Sequence, residues 1–135
     1  MRHFESFRGG NELCYLLLPG SSGGLHHPLM KLLFSRLDRV RKSVSIVEYP
    51  YQTKGLNNPR PNLSDELQAV KEYICYLRDE RKFGRVICIG KSLGGIIATK
   101  LMEDDEVAGV VEEIHIMGCV IDEDPKKGVD FEHAK

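Results

Sequence analysis

The stretch Gly90-Lys91-Ser92-Leu93-Gly94 constrains this chain more than any other. Before it runs Arg85-Val86-Ile87-Cys88-Ile89, apolar and rich in β-formers; after it comes Gly95-Ile96-Ile97-Ala98-Thr99-Lys100-Leu101, which suits a helix. A G-x-S-x-G motif between a strand and a helix is the signature of a nucleophile elbow, a sharp turn that presents a serine hydroxyl. The flanking glycines have a steric reason. A turn this tight brings its neighbours together, and side chains at positions 90 and 94 would collide with them.

The rest of the chain keeps the same rhythm. Leu13 to Leu18 is a continuous apolar run ended by Pro19-Gly20, and continuity rather than alternation predicts a strand covered on both faces. Pro19 to Gly24 is then a loop whose backbone can approach a ligand. Pro28 suits a helix start, with Met30, Leu33, Phe34, Leu37 and Val40 forming one apolar stripe. Arg36, Arg39, Arg41 and Lys42 at its end are read as partners of the helix dipole. Val44 to Tyr49 reads as a second strand and Pro50 to Pro61 as a loop. Asn62 or Ser64 caps a long helix striped by Leu63, Leu67, Val70, Ile74 and Leu77. Arg85 to Ile89 is the third strand and Glu113 to Val120 the fourth, with a short edge strand at His3 to Phe7. Glu103-Asp104-Asp105-Glu106 lacks the spacing of a calcium loop and reads as a solvated turn. Residues from Asp122 to Lys135 read as loop or flexible tail. Such alternation predicts one α/β domain over residues 1–135, a doubly wound, mostly parallel sheet with helices on both faces.

Composition then excludes whole classes. A length of 135 residues allows one real core, and a net charge of −1 argues against nucleic acid or an anionic membrane as partner. No apolar run approaches the ~20 residues of a membrane helix, and the charged first ten residues do not resemble a secretion signal. The expectation is a cytoplasmic protein. Cys14, Cys75, Cys88 and Cys119 form no C-x-x-C pair and read as buried reduced thiols. Neither a metal nor a cofactor is expected.

Four stretches together carry a resemblance. They are Pro19-Gly20-Ser21-Ser22-Gly23, His27-Pro28 with Met30, Tyr49-Pro50-Tyr51, and Gly90-Lys91-Ser92-Leu93-Gly94-Gly95. The chain resembles α/β-hydrolases over about Leu13 to Gly128, and within them the small dienelactone-hydrolase-like branch that includes testis-expressed and non-specific-lethal-complex-subunit proteins. It departs from that pattern at Pro19, where the family commonly has histidine. The resemblance implies that the strands ending at Leu18 and Ile89 are neighbours. Ser92 and the Pro19 to Gly24 loop then meet at a topological switch point. It also implies that the Leu93 amide and one from the Ser21 region hold an oxyanion.

The fold's chain order is serine, then acid, then histidine. Only residues 93–135 follow Ser92, so the resemblance implies a fold truncated after its sixth strand. Asp122 or Asp124 is the candidate acid and His133 the candidate base, although no strand remains to fix that histidine. His115 lies mid-strand, and His26 and His27 read as surface or capping residues. Two functions follow. One is a serine hydrolase acting on a small ester or acyl substrate, with Ser92 as nucleophile. The other is a non-catalytic binding or interaction module, since serine without a base is a weak nucleophile. An uncovered last strand also predicts a homo-oligomer formed through that sheet edge, or a C-terminal tail folded back over it.

Overall fold

The computed structural model describes residues 1–8 and 10–118. Five strands form one sheet: β1 (Arg2–Ser6), β2 (Leu13–Leu18), β3 (Ser43–Glu48), β4 (Arg85–Lys91) and β5 (Val111–Met117). Their spatial order is β1-β3-β2-β4-β5. Every pairing is parallel except β1 with β3, which is antiparallel. The expected adjacency holds: Leu13 to Leu18 run beside Arg85 to Gly90, residue for residue.

Strand periodicity sorts the side chains into two layers. Cys14, Leu16 and Leu18 of β2, with Val86 and Cys88 of β4, face α3 (Ser64–Asp79), α4 (Leu93–Leu101) and α5 (Asp105–Ala108). Leu17, Val44 and Ile46 face the other way, onto Met30 and Phe34 of α1 (Pro28–Arg39). Helices therefore cover both faces of a mostly parallel sheet. Among the described residues β5 pairs with β4 alone. Its Ile116 is 44% exposed. No helix among the described residues is long and apolar enough to cross a membrane.

Several local expectations need correction. The region after β3 is not loop throughout, because Pro50–Thr53 is a short helix, α2, with proline at its first position. The acidic stretch is not a bare turn. Asp104 accepts hydrogen bonds from the Glu106 and Val107 amides and so caps α5. Asn62 does serve the start of α3, accepting from the Ser64 amide at 3.1 Å. Leu63 adopts φ 58° just outside that helix and is buried there. Val40 leaves the apolar stripe because α1 ends at Arg39, and it is 61% exposed. The edge strand lies at Arg2–Ser6, one residue earlier than expected, and β5 lies at Val111–Met117 rather than Glu113 to Val120. Cys14 and Cys88 are buried thiols, whereas Cys75 on α3 is only partly buried. Cys119, Asp122, Asp124 and His133 lie outside the described residues.

Candidate functional site

The candidate site is built where β4 gives way to α4. The strand continues two residues beyond Ile89, so that Lys91 still pairs with Met117 of β5. Ser92 then takes φ 53° and ψ −110°, and Leu93 opens the helix. A serine at positive φ is strained, and this ψ lies outside the ordinary left-handed region as well. The surroundings hold it there. Its N–H donates to the Met117 carbonyl at 3.2 Å, while its own carbonyl accepts from Gly95 and Ile96 at 2.9 and 3.2 Å. Its main chain is thus pinned to the sheet on one side and to the helix on the other.

The flanking glycines are required by contact. A Cβ on Gly90 would lie 2.6 Å from the Gly94 carbonyl carbon and the Gly95 nitrogen. A Cβ on Gly94 would overlap the Leu18 carbonyl oxygen. The elbow therefore closes only because β2 and α4 touch backbone to backbone.

Ser92 is half-buried, and among the described residues nothing hydrogen-bonds its hydroxyl. The Leu93 N–H, at the first position of α4, likewise has no acceptor among them. First-turn amides are without intrahelical partners, and the helix dipole makes that end electropositive. The β2 loop meets the elbow here. Leu18 pairs opposite Gly90, which brings Gly20 beside the turn. A Cβ on Gly20 would lie 3.1 Å from the Lys91 oxygen and 3.4 Å from the Ser92 Cβ. Ser21 follows, exposed, and among the described residues neither the Gly20 nor the Ser21 N–H is engaged. Ser92, Leu93 and the Ser21 loop are thus gathered at the C-terminal ends of adjacent strands.

Among the described residues, His27 and His115 are engaged with other groups. His27 Nδ1 accepts from the Leu29 amide at 3.1 Å and caps α1. His115 is exposed and meets Glu113 of its own strand at 3.2 Å. His26 is exposed and borders two cavities. One, of about 240 Å³, follows the loop past Ser21, Gly24, Gln52 and Leu56. The other, of about 320 Å³, is apolar and lies between α1 and β1, lined by Phe4, Met30, Phe34 and Ile46.

Sequence reasoning missed two residues behind the loop. The Tyr49 hydroxyl donates to the Pro19 carbonyl at 2.6 Å, and Gln52 Nε2 reaches the Gly20 carbonyl at 3.4 Å. Tyr49 stood inside a legible Tyr-Pro-Tyr motif without showing what its hydroxyl touches. Gln52 gave no sequence signal. Burial raises the Tyr49 phenol well above its ordinary pKa, so it stays a protonated donor. Burial likewise pushes the Cys88 thiol up to about 12 and raises Cys14, which makes both poor nucleophiles.

Comparison with known proteins bears on the family and the fold. A family model described as an alpha/beta hydrolase domain matches residues 12–113. Vanchrobactin synthetase VabF of Vibrio anguillarum is 32% identical over 87 residues, which are 61% of this chain and 3% of that protein. The esterase Pf2001 of Pyrococcus furiosus superposes with a TM-score of 0.65 at 14% identity, over 92% of this chain and 53% of its own. MGS-MChE2 is an alpha/beta hydrolase enzyme from the sediment metagenome of the Mar Chica lagoon, Morocco. It superposes with a TM-score of 0.54 at 22% identity, over 87% of this chain and 48% of its own. The chain spans about half the length of these two structures, and at such identities the likeness is one of fold.

Proposed function

Because this chain belongs to the alpha/beta hydrolase domain family, we propose that it is a serine hydrolase for small ester or acyl substrates, of the dienelactone-hydrolase-like branch that its motifs resemble. Ser92 Oγ attacks the substrate carbonyl carbon, and the displaced electron pair moves onto the carbonyl oxygen. The Leu93 N–H and an N–H of the Ser21 loop receive that charge. Collapse of the tetrahedral intermediate expels the alcohol and leaves an acyl-serine, which water hydrolyses. The serine proton passes to a histidine, which hands it to the departing alkoxide and then takes a proton from the hydrolytic water and returns it to the serine. Chain order makes His133 the candidate, with Asp122 or Asp124 as its orienting acid.

The observation that carries this reading is the Ser92 backbone, held at φ 53° and ψ −110°, followed directly by an N–H that has no acceptor among the described residues. A fold gains nothing in stability from a strained serine there, and strain of this kind clusters at functional sites. A fluorophosphonate probe tests it. The expected result is slow labelling of Ser92 that Ser92→Ala abolishes and His133→Ala slows further. Labelling that survives Ser92→Ala, or no labelling at any probe concentration, refutes the proposal.

A further inference from the structure

We propose that Tyr49 and Gln52 form a clamp that orients the peptide planes of Gly20 and Ser21, which makes them positioning residues for the oxyanion site. The inference rests on the Ser92 reading above and extends it to residues that touch neither substrate nor nucleophile.

The β2 ladder stops at Leu18, and Pro19 has no N–H to extend it, so among the described residues no backbone hydrogen bond of the sheet holds the loop that follows. Two side chains from the start of α2 do so instead. Tyr49, fully buried, donates its hydroxyl to the Pro19 carbonyl at 2.6 Å. Gln52 Nε2 reaches the Gly20 carbonyl at 3.4 Å and the Tyr51 hydroxyl at 3.3 Å, while its Oε1 accepts from the Tyr49 N–H at 3.1 Å. The Gln52 side chain is therefore tied to the Tyr49 main chain as well as to the loop. The loop also packs against Gln52 at Gly24, where a Cβ would lie 2.9 Å from Nε2.

The consequence follows from peptide geometry. No peptide bond among the described residues is cis, and in a trans peptide the carbonyl and the next N–H point in opposite directions. The Pro19 carbonyl shares its plane with the Gly20 N–H, and the Gly20 carbonyl shares its plane with the Ser21 N–H. Drawing both carbonyls toward α2 turns both N–H groups away from it. Gly20 is the residue that lies against Lys91 and Ser92. Burial keeps the Tyr49 phenol protonated, so the clamp persists across the physiological pH range. Preorganised donors of this kind are worth most when they need no reorganisation as charge develops.

The test compares fluorophosphonate inactivation of the full chain with that of Tyr49→Phe, Gln52→Ala and Gln52→Glu. Tyr73→Phe serves as the control. It removes another buried hydroxyl, bonded to Glu5 at 2.6 Å and to Ser45, on the α3 face. We expect each clamp variant to lower the saturating inactivation rate about tenfold, less than the ~10²–10³ lost when an oxyanion donor is removed outright. The probe concentration at half-saturation stays unchanged. Tyr73→Phe lowers the melting temperature but leaves the rate alone. Gln52→Glu keeps the acceptor for Tyr49 and loses the donor to Gly20, so it matches Gln52→Ala. Gln52 is only partly buried, so its variants remain informative if Tyr49→Phe does not fold. Clamp variants that label at the wild-type rate, or slow only as much as Tyr73→Phe, overturn the clamp alone. A wild-type chain that does not label refutes the Ser92 reading and the clamp with it.

Discussion

Ser92→Gly should make this protein more stable, and the structure supplies the magnitude. At φ 53° and ψ −110° Ser92 occupies backbone space that glycine enters freely and an L side chain does not. Strain of this sort costs ~1–3 kcal/mol per residue. Glycine takes back part of the gain, because its unfolded state is more flexible by roughly 0.5–1 kcal/mol. The net expectation is stabilisation by about 1 kcal/mol, a rise of about 4 °C in melting temperature for a domain of this size. Ser92→Ala is the reference. It deletes the same hydroxyl, which has no hydrogen bond among the described residues, but keeps the Cβ and the strain. Urea unfolding with a shared m-value measures the gap between the two variants, and calorimetry checks it independently. If Ser92→Gly is no more stable than Ser92→Ala, the backbone at the elbow is not strained. The strongest physical argument for a functional serine then fails.

Three further outcomes are expected. Gly94→Ala should destabilise by about 3 kcal/mol, because both the new Cβ and the Leu18 carbonyl it meets are fixed to backbone. Gly95→Ala should cost less, since its Cβ meets Ile116 Cγ2 at 2.7 Å and that side chain is 44% exposed and can turn aside; urea midpoints compare the two. In native protein at pH 8, a thiol reagent followed by peptide mass spectrometry should find Cys75 modified before Cys14 and Cys88, whose burial and raised pKa values delay reaction until unfolding. Asp104 is held below its ordinary pKa of 3.8, first by the Lys71 ammonium at 2.7 Å and then by the α5 amides. Its folded pKa is the lower one, so its contribution is present above pH 3.8 and is lost as pH falls through the folded value. Asp104→Asn should therefore lower the melting temperature at pH 7, and the gap should close on acidification, as a pH series of thermal scans will show.

What could be read from sequence was whatever repeats locally. Leu13 to Leu18, Arg85 to Ile89 and the stripe of α3 each declare themselves within one element, because burial on a sheet or a helix leaves a period of two, of 3.6, or an unbroken apolar run. The adjacency of β2 and β4 came from motif likeness and is confirmed by their register. The short elements stayed hidden for a physical reason. Helices α2 and α5 span four residues each, too few for an apolar period. Pro50 sets α2 and the Asp104 cap sets α5, and both residue types also mark turns. The loop clamp was the least legible part. Tyr49 and Pro19 are 30 residues apart and meet only because β2 and β3 are neighbours. No pattern local to either position announces that contact.

The same logic orders the site itself. The two glycines of the elbow do not add a chemical group; they remove side chains so that Leu18 of β2 and the first turn of α4 can close on each other. That closure brings Gly20 so near the turn that a Cβ there would lie 3.4 Å from the Ser92 Cβ. It acts beside the Met117, Gly95 and Ile96 hydrogen bonds that pin the serine in its strained conformation. Packing free energy from the two layers around the sheet supports a local conformation that would not persist alone. The strained serine and the approach of the β2 loop are thus one structural event seen from two strands. A substitution that relaxed the elbow, such as Gly94→Ala, should for that reason displace the Gly20 and Ser21 amides together with Ser92.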